Sequence, residues 1–199
     1  MNDKNDKVLY LTKLNFKVKG IYGFNPQISE SIRWLKWITN FSPTTCESCA
    51  KLNGRIYEKN NLNYQKPPIH ERCKCFLNNM IAILAGTATI DGKEGADYWI
   101  YQYHSLPVNY ISKKNAMEKG WNPALGNLRS IEPWATIGGN VFYNDKCKLP
   151  EKNGRIWYEA DINYTGGFRN NHRLLYSNDG LVFVTYDHYE TFYEIIWRE

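Results

Sequence analysis

Apolar residues recur at intervals of three to four along residues 28–41 of the chain. The repeating positions are Ile28, Ile32, Leu35 and Ile38. This spacing places them on one face of a helix, and Ser29 or Ser31 can cap its first turn, so the pattern predicts an amphipathic helix. Further along, Asn53-Gly54 predicts a tight turn that leads into a short strand.

The middle of the chain predicts two more helices. Within residues 91–104, a helical stripe is formed by Ala96, Trp99, Ile100 and Tyr103. Within residues 109–121, Ser112 is suited to cap a shorter helix that stops at Gly120.

From residue 136 onward the apolar residues alternate or form short runs, as they do in strands. The predicted strands lie within residues 136–144, 155–162, 172–177 and 181–186. Asn178-Asp179-Gly180, between the last two, is typical of a hairpin turn. Helices followed by an antiparallel sheet predict the α+β class, with the helices packed on the sheet.

The composition divides the chain in two. Four of the five cysteines lie between residues 46 and 75, and segment 85–96 is small, polar and glycine-containing, which is typical of a linker. A chain of 199 residues suits two small domains. We therefore predict a first unit over residues 1–85 and a second unit over residues 88–199.

The net charge of +5 resides in the first part of the chain. Residues 1–85 contain 13 Lys and Arg against 6 Asp and Glu, whereas residues 86–199 contain 12 against 14. The second unit would therefore have to bind a nucleic acid through a local cluster of cations. There is no run of about 18 apolar residues and no apolar stretch after the charged N-terminus, which predicts neither a membrane span nor a secretory signal.

Two short-spaced groups of soft ligands stand in the first unit. Cys46-x2-Cys49 is followed, after about twenty residues, by His70-x2-Cys73-x-Cys75. Each group can close a small chelate ring and the separation lets the chain fold back, so the spacing suits one structural zinc with four of the five as ligands. Disulfides, or buried free thiols beside a surface histidine, are the alternatives.

The same stretch, residues 28–77, resembles the phage head morphogenesis family of the Mu F-like type. In that family a Trp-bearing helix leads to a cysteine pair, a turn and a Pro-Pro-x-His-x-x-Cys-x-Cys segment. Besides the five possible ligands, the matching residues are Trp34, Trp37, Leu52, Gly54, Pro67 and Pro68. Such modules also precede toxin domains in bacterial polymorphic toxins, so the resemblance implies a carrier that works with a phage-like particle or secretion machinery.

Residue types that suit metal-independent RNA cleavage occur in the second unit. The reaction needs a base for the 2′-OH, an acid for the 5′-oxygen and cations for the charge that builds on the phosphorane. These types are supplied by Glu159, His188, Arg169, Arg173 and Lys113. Composition alone does not single these residues out.

A series of short segments in this unit resembles the barnase family of microbial ribonucleases. They are LPVNYISK (106–113), GW (120–121), GNL (126–128), TIGG (136–139), KLP (148–150), EADINYTGGFRN (159–170), LYSNDGL (175–181) and DHYETF (187–192). They follow the family's order and cover the whole unit. The resemblance implies helices packed on an antiparallel sheet and an endoribonuclease that forms and then hydrolyses a 2′,3′-cyclic phosphate without a cofactor.

The resemblance also implies a role for each matching residue. Glu159 would be the general base and His188 the general acid. Arg169 and Arg173 would clamp the phosphate, and Lys113 would stabilise the transition state.

The resemblance is less complete where the family reads the base. Tyr189, next to the acid, would pack or hydrogen-bond against the nucleotide. The family's loop before KLP presents an Arg-Glu pair whose Glu binds guanine, but Asp145 and Lys146 stand there in this chain. Lys146 cannot accept a hydrogen bond, so guanine would have to be read by Asp145 or by backbone groups around Asn144.

Together these features predict a bacterial ribonuclease effector. A barstar-like acidic inhibitor would hold it in the producer cytoplasm, and delivery would follow a non-classical route because no signal peptide is predicted. The alternative is a phage or prophage structural protein in which the nuclease fold serves as a binding module. All five catalytic residue types are present, which favours the enzyme.

Overall fold

The computed structural model describes residues 34–61 and 63–197. The chain divides into two compact units, and among the described residues the boundary falls between Ala82 and Ile83, at the start of a strand that belongs to the sheet of the second unit. Within these ranges no helix has both the length and the apolar character needed to cross a membrane.

In its described residues, the first unit is a small antiparallel sheet with one short helix. Its elements are β1 (Trp34–Ile38), α1 (Glu47–Leu52), β2 (Ile56–Glu58) and β3 (Phe76–Met80). β1 lies between β2 and β3 and pairs antiparallel with both. The predicted turn at Asn53-Gly54 is confirmed, since it joins α1 to β2 and Gly54 has a φ of 83°, a conformation that favours glycine.

The helix predicted over residues 28–41 is wrong where it can be compared, because residues 34–38 form strand β1. Residues 28–33 lie outside the described residues. A strand places Leu35 and Trp37 on one face, and both are buried. The aromatic and β-branched residues of β1 fit a pleated surface, and its two neighbouring strands provide hydrogen bonds that exist only in the folded unit.

The second unit has a seven-stranded sheet preceded by helices. Its elements are β4 (Ala82–Leu84), α2 (Ala96–Tyr103), β5 (Tyr110–Ile111), α3 (Lys113–Glu118), α4 (Leu128–Ile131), β6 (Thr136–Phe142), β7 (Trp157–Asp161), β8 (Arg173–Ser177), β9 (Val182–Thr185) and β10 (Tyr193–Ile196). The strand order is β4-β10-β9-β8-β7-β6-β5. From β6 to β10 each strand pairs antiparallel with its neighbour, and β5 pairs parallel with β6.

This architecture confirms the α+β class. The predicted helices correspond to α2 and α3, and Ser112 caps α3 by accepting a hydrogen bond from the backbone N–H of Asn115 at 3.1 Å. The four predicted strands correspond to β6, β7, β8 and β9. Strands β4, β5 and β10 were not predicted, because each is only two to four residues long and lacks a clear alternating pattern.

Segment 85–96 is packed into the second unit, so the interpretation of it as a linker is corrected. The buried carboxylate of Asp97 accepts hydrogen bonds from the backbone N–H groups of Gly86 and Ala88, at 2.7 and 3.0 Å. The Tyr186 hydroxyl donates to the Ala88 carbonyl at 2.8 Å. These contacts hold the segment in place, although its small polar residues, considered alone, suggest a mobile linker.

Candidate active site

Strand β7 carries two carboxylates on one face of the sheet. Glu159 and Asp161 are two residues apart, so their side chains point to the same side. Asp161 lies directly opposite Arg173 of β8, and Glu159 lies opposite Asn140 of β6. The antiparallel register therefore brings residues from three strands together around two acidic groups.

Glu159 is almost completely buried, with 6% of its surface exposed, and both carboxylate oxygens are hydrogen-bonded. Its Oε1 accepts from Lys113 Nζ at 2.5 Å and its Oε2 accepts from the Tyr189 hydroxyl at 2.5 Å. Burial by itself raises the pKa of Glu159, but these two donors and the nearby Arg169 charge outweigh it, so the pKa lies below its usual value. The carboxylate is therefore ionised at neutral pH.

The start of helix α3 places Lys113 next to this carboxylate. It is the first residue of α3, directly after the Ser112 cap. Its backbone N–H donates to Asn140 Oδ1 at 3.1 Å, and Asn140 is the residue opposite Glu159 in the sheet. The cap and the strand thus fix the position from which the ammonium group extends.

The two arginines are held by Asp161, which is 1% exposed. Arg169 makes a bidentate pair, with Nε and Nη2 each 2.6 Å from a carboxylate oxygen. Arg173 Nε lies 3.0 Å from Asp161 Oδ1, and its Nη1 donates to the backbone carbonyls of Asn170 and His172, both at 2.7 Å. Such pairing fixes the guanidinium planes before any phosphate arrives.

His188 and Tyr189 lie in a loop with unusual backbone geometry. Both residues have positive φ angles, 58° and 71°. The Tyr189 N–H donates to Thr185 Oγ1 at 3.0 Å, and Asp187 Oδ1 accepts from the N–H groups of Glu190 and Thr191 at 3.1 and 2.9 Å. A strained conformation persists where surrounding contacts hold it, and such strain is common at functional sites.

This conformation gives the two side chains different positions. His188 is exposed, and its ring centroid lies 4.8 Å from that of Tyr189. The Tyr189 ring also stacks on Phe142, with centroids 5.2 Å apart, while its hydroxyl reaches Glu159. Tyr189 was predicted to contact the nucleotide; the hydrogen bond to Glu159 was not foreseen.

Lys148 is a site residue that the sequence did not indicate. Its Nζ donates to the backbone carbonyls of Tyr189 and Glu190, at 3.0 and 3.1 Å, and to Glu190 Oε2 at 3.0 Å. It therefore ties the loop after β6 to the loop that carries His188. A contact between residues about forty positions apart cannot be predicted from a local sequence pattern.

The loop after β6 contains the three other residues predicted to bind substrate. The Asn144 side chain is occupied within the loop, where Nδ2 donates to the Leu149 carbonyl at 2.8 Å and to Glu151, and Oδ1 accepts from the Leu149 N–H at 3.1 Å. Asp145 and Lys146 are exposed. Asn144 therefore shapes this loop, and the two charged side chains face solvent.

The possible metal ligands come together in the first unit. Cys46, Cys49 and His70 form one group of ligand atoms that all lie within 4.8 Å of one another, and Cys49, Cys73 and Cys75 form another. All five cysteines of the chain are free thiols, Cys147 being the fifth.

The thiols of this cluster differ in pKa. A hydrogen bond from the Cys49 N–H lowers the pKa of Cys46. Burial raises the pKa of Cys49. Burial also acts to raise the pKa of Cys73, but the backbone N–H groups of Ile69 and Cys75 outweigh it and bring this pKa to about 7.

The side chains around Glu159 and Asp161, together with His188 and Tyr189, form the candidate active site, which we call the cleft; comparison with known proteins agrees with a nuclease role for this unit. Residues 94–196 match the protein family described as ribonuclease. Ribonucleases of Bacillus intermedius and Bacillus pumilus are each 49% identical over 119 residues, which is 60% of this chain and 72% of each relative. A ribonuclease of Heyndrickxia coagulans is 47% identical over 108 residues, or 54% of this chain and 99% of the relative.

A solved structure is similar over a smaller part. The structure of ribonuclease Sa2 with guanosine-2′-cyclophosphate is 32% identical and covers 31% of this chain and 66% of that chain, with a TM-score of 0.28. This overlap is too small to support a conclusion about the site. Residues 94–196, which match the family, make up more than half of the 199 residues: the chain belongs to the ribonuclease family, and its second unit is a barnase-type endoribonuclease domain.

Proposed function

We propose that the second unit cleaves single-stranded RNA by transphosphorylation, forming a 2′,3′-cyclic phosphate that water then hydrolyses, with no metal in either step. The observation that carries this proposal is the buried Glu159 carboxylate, held between Lys113 and Tyr189 at 2.5 Å each. This arrangement supports an ionised carboxylate of fixed position, which a general base requires.

Glu159 takes the proton from the attacking 2′-OH in the first step. Its lowered pKa keeps it ionised across the neutral range. Each carboxylate oxygen has two lone-pair directions, so Glu159 can accept a substrate hydrogen bond beside those from Lys113 and Tyr189. DNA lacks the attacking hydroxyl and is therefore not cleaved.

His188 protonates the leaving 5′-oxygen. Its exposed ring, beside Tyr189, is accessible to the substrate. In the hydrolysis step the roles are exchanged, and His188 activates the water while Glu159, now protonated, returns its proton. One acid and one base therefore suffice for both steps.

Arg169, Arg173 and Lys113 stabilise the negative charge of the phosphorane. The two arginines are fixed by Asp161, so little reorganisation is needed when charge builds on the phosphate oxygens. Three cations stand against two carboxylates in this network, which leaves a local excess of positive charge for the phosphate. A local cluster is what the balance of 12 basic and 14 acidic residues in residues 86–199 requires.

The loop after β6 sets the base preference. Because the Asn144 side chain is committed to Leu149 and Glu151, we assign the reading of the base to Asp145 or the loop backbone. The reversed order of Asp145 and Lys146 disfavours the guanine contact that the family's glutamate makes.

We infer that the enzyme acts as a toxin on other cells. The first unit serves as its carrier to a phage-like particle or secretion machinery. An acidic barstar-like protein blocks the cleft in the producer, because carboxylates can occupy the phosphate position through the same charge-assisted bonds. The exposed pair at Asp145 and Lys146 selects an inhibitor adapted to this chain.

The product of a single cleavage tests the mechanism. The full chain is incubated with a short RNA in EDTA, with its all-DNA counterpart as control, and the fragments are analysed by mass spectrometry. The expected fragments end in a 2′,3′-cyclic phosphate, and the DNA stays intact. A requirement for Mg²⁺, or a first product with a 5′-phosphate, would overturn the mechanism while leaving ribonuclease activity itself in place.

A further inference from the structure

The Cys/His cluster of the first unit has contacts that separate ligands from non-ligands. His70 Nε2 lies 3.2 Å from Cys46 Sγ and 3.0 Å from Cys49 Sγ, and Cys49 Sγ lies 3.7 Å from Cys73 Sγ. In tetrahedral zinc sites with Zn–S of about 2.3 Å, neighbouring ligand atoms are about 3.6 to 3.8 Å apart. The Cys49–Cys73 separation matches that spacing, and the two sulfur contacts of His70 Nε2 are somewhat shorter.

The histidine ring is oriented by its other nitrogen. His70 Nδ1 lies 2.6 Å from the Glu71 carbonyl oxygen, so Nδ1 carries the hydrogen and donates it. The lone pair of the neutral ring is therefore on Nε2 and points towards two sulfur atoms. Metal-binding histidines are fixed in this way, with one nitrogen donating to a carbonyl and the other facing the ion.

The side chain of Cys75 has Thr39 as its hydrogen-bond partner. The Thr39 hydroxyl donates its single hydrogen to the Cys49 carbonyl at 2.7 Å. It can then only accept from Cys75, whose Sγ lies 3.6 Å away, so Cys75 keeps its hydrogen and donates it. Cys75 is therefore engaged with a protein oxygen and lies outside the group formed by Cys46, Cys49 and His70.

Cys73 has the opposite surroundings. Its sulfur lies 3.7 Å from Cys49 Sγ, which is the spacing of two ligands of one tetrahedral zinc. The Cys75 sulfur instead has the Thr39 hydroxyl as its hydrogen-bond partner. Of the two cysteines that could complete the set, Cys73 is the one oriented as a ligand.

We propose that Cys46, Cys49, His70 and Cys73 bind one Zn²⁺ in a tetrahedral site of three sulfurs and one nitrogen, and that Cys75 stays outside as a thiol bonded to Thr39. Soft thiolate and imidazole ligands at this spacing suit zinc over the oxygen-seeking cations. The site joins the N-terminus of α1 to the loop before β3. Such a joint would stabilise the first unit, whose described residues form a sheet of three short strands with few buried apolar side chains.

The test compares cysteines that differ only in this assignment. The full chain is purified in reducing buffer, and zinc is counted by mass spectrometry in the wild type and in Cys73→Ser, Cys75→Ser and Cys147→Ser. We expect about one zinc per chain in the wild type, in Cys75→Ser and in the second-unit control Cys147→Ser, and loss of most of it in Cys73→Ser. Zinc K-edge absorption of the wild type should show three sulfurs and one nitrogen.

Several outcomes would overturn the assignment. They are equal zinc loss in Cys75→Ser and Cys73→Ser, full retention in Cys73→Ser, four sulfurs in the absorption spectrum, or a zinc-free wild type with a disulfide. If Cys73→Ser misfolds, the wild-type spectrum and the retention in Cys75→Ser decide the question. Ribonuclease activity, measured in every variant, reports that the second unit is intact.

Discussion

The cleft of the second unit and the Cys/His cluster of the first unit both gather polar groups, but they balance charge differently. In the cleft, Glu159 is paired with Lys113, and Asp161 is paired with two arginines. In the cluster, sulfur and nitrogen atoms that all offer lone pairs face one another at 3.0 to 3.7 Å. The cleft can therefore form from protein groups alone, whereas we expect the cluster to need the proposed zinc ion to balance its lone pairs.

Removal of metal should give the largest difference between the two regions. A strong chelator should unfold the first unit almost completely, since structural zinc contributes on the order of 10 kcal/mol to folding in small zinc modules. Amide hydrogen exchange of peptides from β1 and β3 would measure this, with peptides from β7 and β8 as the internal control. Unchanged amide exchange in β1 and β3 after the metal is removed would contradict the claim that metal stabilises the first unit.

Loss of the acid or the base should give the next largest effect. Glu159→Gln and His188→Ala should each lower kcat/KM by roughly two to four orders of magnitude, the usual contribution of acid-base catalysis. His104→Asn is the matched control, because His104 ends α2 in a left-handed conformation that asparagine tolerates. Activity within tenfold of the wild type in both catalytic variants would contradict the assigned roles.

Acid should weaken the second unit through a buried histidine. His172 is 2% exposed, and burial lowers its pKa to about 4, followed by a smaller effect of the Arg173 charge. Since the unfolded chain binds the proton near pH 6.5, the stabilisation is complete above about pH 6.5 and is lost as the pH falls towards 4. The loss at pH 4.5 is about 2 kcal/mol.

Urea unfolding at pH 7.5 and pH 4.5 measures this loss in the wild type and in His172→Gln. Glutamine keeps an acceptor for Asn163 Nδ2, which lies 3.1 Å from His172 Nδ1, but it does not titrate. The variant should therefore depend less on pH by about 2 kcal/mol. An identical pH dependence in both proteins would show that His172 is not the group responsible.

The smallest effect should come from the contact between the two loops of the cleft. Lys148→Met should lower kcat about tenfold with little change in KM, because charge-assisted bonds to the Tyr189 and Glu190 carbonyls are lost and the His188 loop is less well positioned. Lys148→Arg should restore most of the activity. Lys152→Met is the control, since its ion pair with Asp179 is 3.4 Å long and exposed; equal rates for Lys148→Met and this control would exclude a positioning role.

One segment in each unit shows where prediction from the local pattern failed. Leu35 and Ile38 have helical spacing, yet residues 34–38 form a strand, because β2 and β3 offer backbone partners on both sides. Segment 85–96 has the composition of a linker, yet Asp97 and Tyr186 hold it in place. In both cases long-range hydrogen bonds outweighed the local preference.

The candidate site, too, could be predicted from the sequence only in part. The types and order of Glu159, His188 and the arginines were visible in the sequence through resemblance to the barnase family. The interaction of Asp161 with both arginines depends on the pairing of β7 with β8, and the bond from Lys148 depends on where two distant loops meet. Neither has a local signal.

By itself the sequence determined the alternation of β6 to β9, the Ser112 cap, the residue types of the cleft and the spacing of the soft ligands, because these depend on neighbours within a few positions. The tertiary structure decided which ionised groups are paired, why Glu159 has a lowered pKa although it is buried, and which cysteine donates to Thr39. The physical reason is that charge pairing and hydrogen-bond saturation depend on distances across the fold, which only the register of the strands and the packing of the loops establish.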